Sequence, residues 1–462
     1  MPIADNPNAA LDPSASAGSH LRTEAMSETI VTDSAPAGAE ETAAAGAERL
    51  PRLGHVLIMA VISIAFAAIF LAANGALSAT VWNNGFVSAN RWTIPVLVLV
   101  FSLLVGLLQK FLRAPTVIEG GFAETLKGVG PKTDYHTFPG ALLSSLCSLA
   151  SGASVGPEGP ITILVQQISI WFRTRLKVSP RAGLGFDVAA IASALNGVVG
   201  NPLFTAAFAT EYSVGGQSAL IYLAWNLLAG VVGFSVYALL GLTSFASFLA
   251  FPSVVTLEPS YFVWAVVLGC VGTLVAVIAA IGMRVFGTLM QRLSRGDPIL
   301  RALAAGVVIG LVGLAMPQLL FSGEDQIHVI IADPAAYGVG LLLLMAVLKL
   351  VLLALSLKSG FLGGPTFPLL FSCSMIGLAL HLLFPDAPLG IQVMCIEASA
   401  VAVALSAPLT AILLVAVVGT ANPDTLALIT LSAVIGLLLS TGIKAAMERR
   451  ATQTTTVPNG HV

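Results

Sequence analysis

Hydrophobic positions run through this chain in long blocks, not in the alternating stripes of surface helices or half-buried strands. The blocks Leu53–Ala73 and Thr93–Leu112 come close to the ~20 residues that cross a bilayer as helix. The pattern then breaks up, and Gly and Pro interrupt shorter apolar pieces at Phe138–Val155, Ile161–Phe172, Val188–Val199 and Pro202–Thr210. Longer blocks return at Ala219–Leu242, Tyr261–Met283, Ile299–Met316 and Tyr337–Leu357. The broken pattern recurs at Pro365–Phe384, Ile391–Leu405 and Pro408–Val418, before a last block at Thr425–Ala446. In lipid every backbone polar group needs a partner, so these blocks predict helices, and the chain reads as an all-α polytopic membrane protein. Short segments broken by Gly and Pro survive at membrane depth only inside protein or beside a cavity. In transporters they point to the binding site.

Composition agrees: 56% of residues are hydrophobic and 10% charged, with a mean hydropathy of +0.92. Residues 1–50 are different, rich in Ala, Ser, Glu, Thr and Pro, and unable to bury a core. They predict a disordered tail without the apolar stretch of a signal peptide. A membrane domain then spans 51–448, and a short tail follows at 449–462. Basic residues cluster before the first block (Arg49, Arg52), at Arg173–Arg181, at Arg284–Arg301 and at Lys444–Arg450. The excess of Lys and Arg in cytoplasmic loops places these groups, and both termini, in the cytoplasm, as expected of a bacterial inner (plasma) membrane protein.

The four cysteines lie in apolar surroundings without paired spacing and read as small core residues. No two histidines stand at metal-ligand spacing, so neither metal nor cofactor is expected. The net charge of −2 says nothing about partners, and no basic stripe suggests nucleic acid. An intramembrane enzyme would need a nucleophile with its base, or metal ligands. No H-E-x-x-H motif occurs.

The two broken regions echo one another. Gly159-Pro160 pairs with Gly364-Pro365, and Asn201-Pro202-Leu203-Phe204-Thr205-Ala206 with Ala407-Pro408-Leu409-Thr410-Ala411. Asp187-Val188-Ala189-Ala190 pairs with Glu397-Ala398-Ser399-Ala400, giving offsets of 205 to 210 residues in constant order. This predicts a duplicated unit with halves at roughly 93–242 and 299–447. Such repeats place cargo at their interface, opposite half-helix N-termini.

Within the first copy, Val155-Gly156-Pro157-Glu158-Gly159-Pro160 sets one carboxylate between helix breakers. A charge at membrane depth costs about 2.5–3.5 kcal/mol on insertion scales and marks a functional site by default. Proline favours helix starts, and helix starts attract anions. Glu158 therefore reads as a tethered anion that competes for an anion site.

Three motifs together resemble the CLC family of chloride channels and chloride/proton antiporters. Gly156-Pro157-Glu158-Gly159-Pro160 is similar to the family's G-(R/K)-E-G-P, whose Glu is its external gate. Ser359-Gly360-Phe361-Leu362-Gly363-Gly364-Pro365-Thr366-Phe367-Pro368 is similar to S-G-x-x-G-G-x-F-x-P, and Ala407–Leu413 to A-P-L-T-G-I-L. The resemblance covers about Leu53 to Met447 and implies an inverted repeat of tilted, broken helices in a homodimer with one pore per subunit. It implies transport of chloride, or of fluoride in a variant, with or without protons. It also implies anion binding by backbone at Gly156, Pro157, Gly159, Pro160, Gly364, Pro365, Thr366 and Phe367.

The chain departs from the pattern at several places. Pro157 replaces the basic residue before the gate, and Thr366 replaces the first phenylalanine of the second motif. No serine matches the family's inner one, Thr116 being the nearest hydroxyl. No tyrosine follows Tyr337, and Met447 falls near the family's inner tyrosine. The antiporters' inner proton-relay glutamate aligns with Tyr212, and Glu211 lies one place earlier.

Other charged residues have plainer readings. Glu211 reads first as a helix-end carboxylate and second as a relay. Asp187 reads as a helix N-cap, Lys349 as half of a structural ion pair, and Glu397 as a buried hydrogen-bonded carboxyl. An organic-anion carrier on another inverted-repeat fold would need more polar contacts than this Gly- and Pro-rich region offers.

Overall fold

The computed structural model describes residues 52–116, 134–178, 180–212, 219–245, 249, 251 and 256–455. The expected disordered tail lies outside this set. The described residues form sixteen α-helices and no strand. The first half runs α1 (Leu53–Trp82), α2 (Gly85–Ala89), α3 (Thr93–Phe111), α4 (Phe138–Ala150), α5 (Glu158–Arg175), α6 (Pro180–Val199), α7 (Phe204–Glu211) and α8 (Ala219–Leu239). The second runs α9 (Pro259–Ser294), α10 (Pro298–Ala315), α11 (Glu324–Ala332), α12 (Gly338–Lys358), α13 (Thr366–Leu383), α14 (Leu389–Leu405), α15 (Pro408–Val418) and α16 (Pro423–Thr455).

Eight of these, α1, α3, α8, α9, α10, α12, α13 and α16, are long and apolar enough to cross a membrane. Helix α9 outruns the apolar block Tyr261–Met283 by continuing through Arg284 and Arg292. Asp297 caps α10 by accepting the N–H groups of Ile299 (2.8 Å) and Leu300 (3.4 Å), a standard partner for otherwise orphaned helix-start donors. Its exposed carboxylate also meets Lys110 at 2.8 Å. Those hydrogen bonds, the one from Lys110 first, lower its pKa from the usual carboxylate value.

Helix α14 explains why helical periodicity is faint here. Gly390 through Ala402 are buried without a break, so no polar face exists. Helix α8 instead turns Leu220 and Leu239 outward, 83% and 86% exposed, as lipid requires. Without water to drive apolar faces together, neighbouring helices are joined by small residues and hydroxyls. Ser193 of α6 donates to the Ala60 carbonyl of α1 (2.6 Å), Ser399 of α14 to Gly269 of α9 (2.6 Å), and Ser432 of α16 to Cys395 of α14 (2.6 Å).

Candidate anion site

Helices α5 and α13 start on the same five-residue pattern, Gly156-Pro157-Glu158-Gly159-Pro160 and Gly364-Pro365-Thr366-Phe367-Pro368. In each, the first proline is the N-cap, at φ −76°, ψ −14° and φ −86°, ψ −12°. The first turn closes from Ile161 N–H to the Pro157 carbonyl and from Leu369 N–H to that of Pro365, both at 3.1 Å. The second proline of each motif has no N–H. Each helix start therefore presents two N–H groups that the helix cannot use: Glu158 and Gly159 in one, Thr366 and Phe367 in the other.

The two starts are clamped together. Gly156 and Gly364 exchange N–H···O bonds of 2.8 Å each in an antiparallel bridge. The bridge pairs residues 208 apart, which corrects the register expected from sequence. Gly364-Pro365 matches Gly156-Pro157, not Gly159-Pro160, and Thr366 occupies the place of Glu158. The same offset links two serines unremarked in the sequence. Ser148 of α4 accepts the Leu362 N–H (3.0 Å), and Ser356 of α12 accepts the Ser154 N–H (3.2 Å). Each repeat thus pins the other's loop. The spacing of eight residues before each Gly-Pro was the available signal.

Glu158 projects from its own helix start onto the other. Its Oε1 accepts the Thr366 N–H at 2.9 Å, and the N–H groups of Glu158 and Phe367 also bear on the carboxylate. Its Oε2 is buried with no hydrogen-bond partner among the described residues. A Cβ on Gly156 or Gly364 would collide with this carboxylate, so both positions demand glycine for the carboxylate to lie where it does. A negative group is thus seated on main-chain donors at two helix N-termini, the arrangement that favours any small anion. Of the eight backbone positions implied by resemblance, the bridge consumes the N–H of Gly156 and Gly364, and three are prolines. The N–H groups at these positions that remain outside the bridge are those of Gly159, Thr366 and Phe367, beside that of Glu158.

Lys349 is fully buried on α12. Its Nζ donates to the carbonyls of Phe321 (2.6 Å), Leu319 (3.1 Å) and Leu320 (3.4 Å) and lies 4.8 Å from the centre of the Phe371 ring. Among the described residues no carboxylate comes within salt-bridge distance, so carbonyls and an aromatic face replace the expected ion pair. Phe321 N–H in turn donates to the Gly152 carbonyl at 3.0 Å, just ahead of the Glu158 motif.

The inner-side candidates lie elsewhere. Glu211 ends α7 and grips the start of α15. Its Oε2 accepts Thr410 N–H (3.0 Å) and Thr410 Oγ1–H (2.7 Å), and its Oε1 accepts Leu409 N–H. Tyr212 donates its hydroxyl to the Leu405 carbonyl and stacks on Phe208. Thr116, half-buried beyond α3, takes no part in the hydrogen bonds around the cradle, and Met447 falls in α16 past the end of its apolar span. Asp187 is not an N-cap: it lies inside α6, accepts from Ser169 of α5 (2.7 Å) and pairs with Arg173 at 3.4 Å. Glu397 is the buried hydrogen-bonded carboxyl expected, with Ser374 donating to Oε1 at 2.8 Å.

Two broken helices that meet start to start within an array of apolar spans are the architecture of a membrane transport protein. A family model described as voltage gated chloride channel matches residues 104–441, and the chain belongs to that family, the CLC proteins. Putative ion-transport protein YfeO of Escherichia coli O7:K1 (strain IAI39 / ExPEC) is 26% identical over 308 residues, covering 66% of this chain and 71% of that protein. Its counterpart in Shigella boydii serotype 4 (strain Sb227) is 25% identical over the same length and shares. Among solved structures, a slow cyanobacterial Cl−/H+ antiporter superposes with a TM-score of 0.73 at 18% identity, over 88% of this chain and all of that one. A CLC-type fluoride/proton antiporter gives 0.68 at 21% identity, over 84% and 94%. The expected fold, an inverted repeat of broken helices in an integral membrane protein, is the fold observed.

Proposed function

We propose that this protein carries chloride across the membrane under the control of Glu158. The observation that carries the reading is the seat of Glu158, whose carboxylate lies on the Thr366 N–H where a free anion would lie. Ionised, the side chain fills the cradle. Protonated, it loses the charge that holds it at two helix N-termini and yields the place to an anion, so flux rises as pH falls. The gate thereby links anion movement to proton binding, in keeping with the two structural relatives, one a Cl−/H+ antiporter and the other a fluoride/proton antiporter. Fluoride is the second reading, supported by the fluoride/proton antiporter's fold and by the altered inner positions at Thr116 and Met447.

The working unit in this reading is a homodimer with one pore per chain, in a bacterial plasma membrane, both termini cytoplasmic. Glu211 is the inner relay candidate. Its two oxygens are committed to α15, which favours its structural role.

Vesicles holding the purified protein, with chloride, fluoride and proton movement recorded together, test the proposal. Chloride efflux well above protein-free vesicles is expected. Proton uptake against its gradient, driven by chloride, marks exchange, whereas anion flux without proton movement marks a channel. Movement of fluoride alone replaces chloride in the proposal. Failure of every inorganic anion to move above background overturns it.

A further inference from the structure

Glu324 is the first residue of α11, half-buried and outside the eight apolar spans. It follows Gly323, whose φ of 103° suits glycine and whose missing Cβ makes room for the Phe371 ring of α13. The loop that delivers it is fastened to the cradle from two sides, by Lys349 on carbonyls 319–321 and by the Phe321 bond to Gly152. The result is a second carboxylate near enough to Glu158 for the two charges to act on each other. Helix α10 starts beside the Arg284–Arg301 cluster, and its 18 residues rise about 27 Å. The α10–α11 loop therefore lies on the face opposite those arginines, the external one under the positive-inside rule.

Glu158 has the complementary need. Its Oε2 is sealed from solvent and without a hydrogen-bond partner among the described residues, yet a gate of this kind must gain and lose a proton. Glu324, whose charge and that of Glu158 act on each other, is itself half-buried and is followed by the exposed Asp325. We propose that Glu324 is the external proton-transfer partner of Glu158. The inference rests on the gate reading above. In the step, the O–H bond of protonated Glu324 breaks as one forms on the Glu158 carboxylate. Glu324, now ionised, is reprotonated by external water.

The charged groups acting on Glu324 are Glu158, Asp325 and Lys349, with the Ser322 hydroxyl bonded to it. Helix α13, packed against α11, carries Cys373 and, at its far end, His381 as its titratable groups. Burial first, then the Glu158 and Asp325 charges, raise the Glu324 carboxyl to about 7, against the pull of Ser322 and Lys349. A donor that titrates near the working pH transfers protons most effectively.

The test is chloride flux against external pH in vesicles, or fluoride flux if that ion is the one moved. Wild type, Glu324→Gln, Glu324→Asp, Glu158→Gln and the double Gln variant are compared, each confirmed as a single species by gel filtration. A placed proton-transfer group contributes on the order of a hundredfold or more, so Glu324→Gln is expected to slow pH-dependent flux at least about tenfold. Glu324→Asp, or added imidazole buffer outside the vesicles, should restore much of it. In the Glu158→Gln background, replacing Glu324 should change nothing. Wild-type rate and pH profile in Glu324→Gln would overturn the inference, as would an equal loss in both backgrounds. A Glu158→Gln variant that keeps the wild-type pH profile overturns the gate reading itself, a separate result.

Discussion

At Glu158 a helix start, which favours a negative group, carries one in its own side chain. The second copy places Thr366 at the equivalent position, so only one of the two starts carries a charged plug. The plug fits because Gly156 and Gly364 leave room that any Cβ would fill. Gly364 does not hold a positive φ, so alanine is acceptable to the backbone there and acts only through its methyl group. Gly364→Ala is expected to push the Glu158 side chain off the Thr366 N–H and raise flux at neutral pH toward the level reached in acid. An unchanged flux–pH curve in reconstituted vesicles would show that Glu158 does not need this seat.

The motif around Glu158 was legible in the sequence because a carboxylate between helix breakers at membrane depth has few reasons to exist. Glu324 was not legible. Nothing in the run Ser322–Gln326 announces that a lysine on α12 and a carbonyl before α5 will hold it beside the gate.

At the scale of elements, block length and Gly/Pro interruption located the spans, because those features are local. Helix ends and cross-helix bonds are not local. Asp187 was expected to start a helix and instead sits within α6, where Arg173 and Ser169 offset the burial of its charge. Glu211 is the informative case: a carboxylate at the end of α7 caps α15, tying one repeat to the other through Leu409 and Thr410. Losing a helix cap costs about 1–2 kcal/mol. Glu211→Ala is expected to lower the thermal unfolding midpoint in detergent, and Glu211→Gln, which keeps an accepting oxygen, to lower it less. An unfolding midpoint for Glu211→Ala equal to wild type would remove the capping role and return Glu211 to the proton relay.

At the scale of the whole molecule, the site is a product of the repeat. Neither copy owns it. Each contributes a Gly-Pro-x-x-Pro start, a serine that fastens the other's loop, and one strand of the Gly156–Gly364 bridge. The duplication was visible in sequence, but its register was off by three residues. Low-complexity apolar sequence offers several Gly-Pro pairings, and only the main-chain bridge selects among them. In the proposed function the charge of Glu158 competes with the transported anion for this shared cradle. The measurement that reaches this competition most directly is steady anion flux against external pH, from about pH 4.5 to 8, for wild type and Glu158→Gln. Wild-type flux is expected to climb as pH falls, while the uncharged glutamine gives a flux independent of pH. A Glu158→Gln curve that climbs in step with wild type would contradict the account.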